Sequence, residues 1–360
     1  MNICLLGQYP PHIGGVSSHT HLLARELVKR GDNVHVLTYP HPDIRGHLKN
    51  PDGITVETAY TVNIKGLRGM LFFFSSILKL RHMVKEYDID LIHAHFIIPP
   101  GLIAVIMGGL TKKKVAVTVH GSDIFILSKN QLLKPLIKYV LKKADIIAAV
   151  NQKVKDKIQD LGINGVGDKI ELTPNAVDLE EFKPTNQLDL TKELGIKTSK
   201  PLILFVGNLV SQKGLKYLIN AKIEMETPSI ILIVGGGPLM KELQQMVKDE
   251  NLSDVYFAGA RRDVAYIMPQ ADLFVLPSIS EGSPITLLEA FASGLPAVAT
   301  DVGGVREIVT PDVGIVVPAR DSRALKEAVD KILQNDKLRR DMSQAAISKA
   351  RRYGHITIPY

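Results

Sequence analysis

MNICLLGQYPPHIGGVSSH, Met1 to His19, runs from an apolar segment through a glycine-bearing loop into the start of an amphipathic stretch. Asn2–Leu6 has the length of a strand, and its apolar residues do not alternate with polar ones, as expected for a strand covered on both faces. Gly7 ends it, and Gly14-Gly15 lets the backbone turn closely. Ser17 offers a hydroxyl to cap a helix expected over Ser17–Arg30. Strand, glycine loop and helix in that order make the first half of a βαβ unit. The loop is not the dinucleotide fingerprint GxGxxG, and no GK[ST] follows to make a P-loop. Its backbone is still suited to approach a phosphate.

The alternation continues outward. Further strands are expected at Asn33–Thr38, Ile54–Ala59, Asp90–His95, Lys114–Val119, Asp145–Val150 and Lys169–Leu172, with helices at Gly69–Glu86, Lys134–Lys143 and Lys153–Leu161. After a polar, proline-containing lapse the pattern restarts. Strands then read at Pro201–Val206, Ser229–Val234, Val255–Phe257, Leu273–Leu276, Ala297–Ala299 and Gly314–Val317. Leu215–Ile219, Pro238–Lys248, Pro284–Ser293 and Arg323–Leu333 read as helices. The fold class is therefore α/β, with two doubly wound Rossmann-like domains. The expected bounds are 1–178 and 196–350, with 179–195 as a linker and 351–360 as a tail near the first domain. In such sheets ligands lie beyond the carboxyl ends of the strands. The residues found there are Gly7, His95, His120-Gly121, Pro174-Asn175, Gly207-Asn208, Gly235-Gly236-Gly237, Gly259 and Ser278. Such endings on both domains suggest one shared cleft between facing sheets.

At 360 residues the chain is long enough for two cores, and its 45% hydrophobic and 22% charged content is that of a globular protein. Cys4 is the single cysteine, which excludes a disulfide framework and a cysteine-based metal site and agrees with a reducing, cytoplasmic setting. The first residues read as a strand with no charged lead-in or cleavage site, so no signal peptide is expected. The apolar run Phe96–Leu110 is interrupted by Pro99-Pro100 and is too short to span a bilayer. The net charge of +7 is lopsided: residues 1–175 hold 22 Lys+Arg against 14 Asp+Glu, and the remainder holds 22 against 23. A basic first half points to an anionic partner, either a phosphate-bearing substrate, a membrane surface or nucleic acid. No nucleic-acid recognition motif accompanies it, so nucleic acid is not expected.

EGSPITLLEA, Glu281 to Ala290, frames a helix start with two carboxylates. Ser283 reads as the N-cap and Pro284 as the first helical residue. Between Glu281 and Glu289 lie free N–H groups and the positive end of a helix dipole, which suit an anion. Carboxylates would address hydroxyls on the same ligand. The alternative is one glutamate favouring the dipole and one solvated. In FVGNLVSQKG, Phe205 to Gly214, Lys213 can reach a phosphate as a compact charge or be an ordinary surface lysine. His120 in VTVHGSD ends a buried strand, where a lone histidine is more often structural than catalytic.

His93 and His95 share a strand face, but no nearby carboxylate or cysteine completes a metal site, so no metal site is expected. Asp88-Ile89-Asp90 precedes its strand, at the wrong end for a ligand, and reads as a solvated turn. Lys65–Lys85, with Phe72, Phe73 and Phe74 among basic residues, fits either a membrane-surface helix or a core helix with a basic outer face.

In their order and spacing these motifs resemble glycosyltransferase family 4, the retaining enzymes of the GT-B fold. The resemblance spans most of the chain. It is carried by Gly14-Gly15-Val16, VHGSD with His120, PNAVD at Pro174–Asp178, GNL with Lys213-Gly214, GGGP at Gly235–Pro238, FAGARR at Phe257–Arg262 and the pair Glu281…Glu289. The resemblance implies an N-terminal acceptor-binding domain and a C-terminal nucleotide-sugar-binding domain. It implies that Glu281 binds donor-sugar hydroxyls and Glu289 the ribose. Amides at Gly15 and around Ser283, Pro284 and Ile285 would hold the diphosphate, with Lys213 and Asn208 beside it. His120 would stand next to the transferred sugar and Arg262 near the base.

The implied activity is transfer of a sugar from a nucleotide diphosphate sugar to a hydroxyl acceptor, a glycan or lipid-linked molecule, with retention and no obligatory metal or cofactor. Peripheral contact with the cytoplasmic membrane face would suit such an acceptor. Nucleotide-sugar epimerisation or hydrolysis, or binding without catalysis, are the alternatives. Two departures from the pattern stand out. Asparagine at 208 replaces a frequent arginine, so that either transition-state stabilisation is weaker or another cation, Arg261 or Arg262, compensates. The sequence ARRYGHITIPY, Ala350 to Tyr360, would shorten a closing C-terminal helix.

Overall fold

The computed structural model describes residues 1–44, 48–50, 52–60, 67–185, 190 and 200–360. The chain divides into two compact units, Met1–Asn175 with Ile356–Tyr360, and Ala176–His355. Of the linker expected over 179–195, residues 186–189 and 191–195 lie outside the described residues, as does Lys65 of the phenylalanine-bearing stretch.

The strands of the first unit are β1 (Asn2–Leu6), β2 (Asn33–Thr38), β3 (Leu48–Lys49), β4 (Thr55–Thr58), β5 (Leu91–His95), β6 (Lys114–Val119), β7 (Ile146–Ala149) and β8 (Ile170–Leu172). They line up in the order β3-β4-β2-β1-β5-β6-β7-β8. Every pair is parallel except β3 with β4. Central strands are mostly apolar, as expected where helices cover both faces, and β5 is buried along its whole length although it carries His93 and His95. The order runs outward one way from β1 and then restarts on its other side with β5. That reversal is the topological switch point, where chain ends splay apart and leave a crevice. Gly7 follows β1 there and His95 ends β5, so closely that a Cβ at Gly7 would stand 3.0 Å from that of His95.

The second unit has β9 (Leu202–Val206), β10 (Ile230–Val234), β11 (Val255–Gly259), β12 (Leu273–Leu276), β13 (Ala297–Thr300) and β14 (Gly314–Val317). These are all parallel, in the order β11-β10-β9-β12-β13-β14. Its switch point lies between β9 and β12, whose carboxyl ends lead into Gly207-Asn208 and Pro277-Ser278. Phe205, Phe274 and Phe291 are the largest fully buried side chains and anchor this core.

Two helix starts differ from expectation. Helix Gly15–Lys29 begins two residues early because Gly14, at φ 146°, makes the turn, and Ser17 is buried inside the helix rather than capping it. Helix Ile285–Ala292 takes Pro284, not Ser283, as its cap residue, with an extended ψ of 108°. The preceding loop is tied down by Gly304 N–H donating to the Gly282 carbonyl at 2.8 Å, which delays the helix by one residue. Helix Leu102–Thr111 had no counterpart in the sequence reading. Its apolar character all round leaves no amphipathic period to detect.

The Phe72–Phe74 helix, Leu67–Glu86, is anchored in the first core. Phe72 stacks on Tyr39 at 4.2 Å, and Leu80, Met83 and Val84 are buried. Its other face is apolar too: Met70, Phe74 and Leu78, four residues apart, are all exposed. Asp88 and Asp90 lie on the surface as expected, with Asp90 also accepting the Asn2 N–H at 2.9 Å to join β1 to β5. Among the described residues, no helix is long and apolar enough to cross a membrane.

Candidate functional site

In the second unit, chemistry gathers at the switch point. After β9 the chain passes Asn208, which is exposed, and makes a short turn over Ser211–Lys213. Gly214 closes that turn at φ 60° so close to Pro277 that a Cβ would meet its carbonyl oxygen. This approach brings Lys213 against the loop after β12. Lys213 Nζ donates to Glu281 Oε1 at 2.6 Å, and Ser278 Oγ donates to the same oxygen, also at 2.6 Å. The pair is mostly enclosed, with side-chain exposures of 21% and 10%. A lysine held this way presents its remaining ammonium protons to the crevice. Two stretches far apart in sequence thus meet, joined by Ser278.

Glu289 lies in helix Ile285–Ala292, buried, which excludes the reading of a solvated carboxylate. Burial lifts its pKa from 4.5 to about 8, and Glu181 adds to the rise. At neutral pH it is largely a neutral acid, able both to donate to a hydroxyl and to accept from one. The helix start beside it carries Pro284, which has no N–H, so the amides there belong to Ser283, Ile285 and the residues following. Of the two arginines after β11, Arg261 forms a two-point ion pair with Asp263, at 2.8 and 2.5 Å. That commitment argues against Arg261 as the substitute for a cation at Asn208. Arg262 is exposed.

In the first unit, Gly15 opens helix Gly15–Lys29 and is exposed, and His19 lies one turn further in. His19 packs edge-on against His120, ring centroids 5.0 Å apart, and against His95 at 5.4 Å. His95 Nδ1 and His120 Nε2 are 3.2 Å apart, within hydrogen-bond reach. His93 stacks on His95 at 4.8 Å, with its own nitrogens engaged by Thr118 Oγ1 at 2.7 Å and the Tyr360 hydroxyl at 3.1 Å. Burial is the first cause that lowers all four pKa values, His19 to about 4, His93 to about 3, and His95 and His120 well below their usual range. The four rings are therefore neutral at physiological pH. Asp123 fixes the His120 loop by accepting the Gly121 N–H at 2.9 Å and the Ile97 N–H at 3.2 Å.

Sequence reasoning had set His95 aside and had given His19 and Asp123 no role. Strand-end position flags His95 and His120, but nothing local shows that they meet His19, because the three converge from a helix and the ends of two strands. Asp123 did carry a signal, since a carboxylate two residues after a strand-ending glycine is placed to hold that turn.

Comparison with known proteins identifies the family. Residues 13–181 match the family model described as Glycosyltransferase Family 4, and residues 186–349 match the model described as Glycosyl transferases group 1. The chain is similar to an N-acetyl-alpha-D-glucosaminyl L-malate synthase of Bacillus anthracis, 27% identical over 93% of this chain and 89% of the relative. It is 30% identical to the UDP-Gal:alpha-D-GlcNAc-diphosphoundecaprenol alpha-1,3-galactosyltransferase of Escherichia coli, over 76% of this chain and 74% of the relative. Among solved structures it resembles a sucrose-phosphate synthase from Thermosynechococcus elongatus, with TM-score 0.84 and 19% identity over 98% and 95% of the two chains. It also resembles Anabaena Alr3699/HepE in complex with UDP and glucose, with TM-score 0.83 and 20% identity over the same shares. Two family models that together span nearly the whole chain, and a relative at this identity, make the chain a glycosyltransferase of family 4 with the GT-B fold.

Proposed function

We propose that the protein transfers a sugar from a nucleoside diphosphate sugar to a hydroxyl acceptor, with retention of configuration at the transferred carbon. The observation that carries this reading is the Lys213–Glu281–Ser278 cluster at the switch point of the second unit, with the buried acid Glu289 on the helix that follows. Lys213 would stabilise charge developing on the leaving diphosphate, while Glu281 would orient donor-sugar hydroxyls and stays engaged with Lys213 rather than acting as nucleophile. Glu289 would take the ribose hydroxyls, and Asn208, Arg262 and the amides of Gly15, Ser283 and Ile285 would complete donor binding. His120, a neutral ring, would hydrogen-bond the sugar rather than shuttle charge.

UDP-sugars are the first donors to test, since UDP stands in the names of the E. coli relative and of the Anabaena complex. A lipid-linked acceptor suits the exposed Met70–Phe74–Leu78 stripe, whose helix also carries Arg81 and Lys85 beside a groove shared with Leu110 and Lys113. On this reading the first unit rests against an anionic membrane surface. The test is product analysis with a panel of donors and acceptors, following the anomeric proton by NMR. Nucleoside diphosphate release that depends on acceptor, giving an α-linked product from an α-linked donor, supports the proposal. Conversion of the donor with no acceptor present would replace it with an epimerase or a hydrolase.

A further inference from the structure

Three imidazoles meet where helix Gly15–Lys29, β5 and β6 converge. One ring nitrogen each from His19, His95 and His120 lies within 4.8 Å of the other two, and all three residues are buried. On these rings His19 Nδ1 and His95 Nε2 have no hydrogen-bond partner despite full enclosure, although His19 also meets the Asn175 side chain and His95 Nδ1 lies 3.2 Å from His120 Nε2. Leaving such groups unmatched is costly, and something that accepts nitrogen lone pairs would relieve it. His93 is not part of the set, because Thr118 and Tyr360 occupy both its nitrogens.

We propose that His19, His95 and His120 form a capture site for a divalent transition-metal ion of the zinc class. Three nitrogen donors with no carboxylate among them favour zinc, cobalt, nickel or copper over magnesium or calcium, which take oxygen. Zinc–nitrogen bonds of about 2.0–2.1 Å set tetrahedral ligand atoms about 3.3 Å apart. The cluster must therefore tighten by roughly 1.5 Å at its widest, within reach of side-chain rotation. Three protein ligands leave a fourth position for water or substrate. Resting on the proposed contact of His120 with the transferred sugar, metal in this site would take His120 away from the donor and inhibit transfer reversibly.

The test uses the whole chain, stripped with chelator, and cobalt(II) as probe. The proposal expects the visible absorption of tetrahedral cobalt, saturating at one equivalent and discharged by zinc. His19→Gln and His95→Gln should each weaken cobalt binding at least ~10-fold, whereas His82→Gln, on the exposed outer helix, should not. Circular dichroism and thermal unfolding establish that the variants are folded. Absence of the absorption in the wild type, or its survival in both cluster variants, would overturn the site. In turnover, zinc should inhibit the wild type and chelator should restore it. Binding without inhibition would overturn the effect on His120 while leaving the proposed transfer reaction untouched.

Discussion

Lys213 and Ser278 both donate to one oxygen of Glu281, so the three behave as a unit whose members are not interchangeable. Lys213→Ala removes the cation proposed to face the leaving diphosphate. Steady-state kinetics at saturating acceptor should show kcat/KM falling by roughly 10²–10³, the usual loss for one transition-state donor. Lys213→Arg should recover only part, because the planar fork does not fit a turn closed by Gly214. The gap at Asn208 works in the other direction. With Arg261 held by Asp263, Asn208→Arg would add a second cation beside Lys213 at the proposed diphosphate site and should raise kcat/KM about tenfold, or about 1.4 kcal/mol. An unchanged value would mean that the charge is already provided elsewhere. Lys213, Glu281 and Glu289 were legible because each stands at a fixed offset from a strand end or helix start. His19 and His95 were not, since their meeting depends on how three elements pack. The cap at Ser283 was misassigned because sequence does not show the Gly282–Gly304 bond that holds the loop extended.

Helix Ile285–Ala292 carries a carboxyl whose burial makes it pH-sensitive. In the unfolded chain Glu289 ionises near 4.5, and in the folded chain near 8. Between these values the folded state holds a proton that the unfolded state has lost. This group's effect on stability therefore declines as pH rises through that window, with a slope of about 1.4 kcal/mol per unit. Glu289→Gln should abolish the slope, so urea midpoints at pH 5, 7 and 9 should converge toward or pass those of the wild type as pH rises. Parallel curves would show that Glu289 does not titrate this way.

The loop after β10 makes a different demand. Gly235, at φ 149°, faces the Gly207 backbone so closely that a Cβ would overlap its carbonyl oxygen. Gly235→Ala should cost about 2 kcal/mol or more, read as a lowered unfolding midpoint. At this scale the sequence was informative. All thirteen expected strands are present with edges shifted by two residues at most, since buried parallel strands announce themselves as short apolar runs. The two-residue β3 and helices Leu102–Thr111 and Asp336–Ala350 were missed, β3 being too short and Leu102–Thr111 too uniformly apolar to show a period.

Over the whole molecule, charge and exposed apolar surface point the same way. The excess of positive charge lies within residues 1–175, in the unit that also exposes Met70, Phe74, Leu78 and Leu110. Co-sedimentation should show binding to vesicles containing anionic lipid at low salt, weakened by added salt and by Phe74→Ser with Leu78→Ser. No binding at low salt would remove the membrane from the account and leave a glycan acceptor. The proposed donor site is tested by calorimetric titration of UDP-, ADP- and GDP-sugars into the wild type, Lys213→Ala and Glu289→Ala. One nucleotide family should bind the wild type, and each folded variant should bind it at least ~10-fold more weakly, about 1.4 kcal/mol. Binding retained in full by both variants, or no binding of any donor to the wild type, would contradict that site.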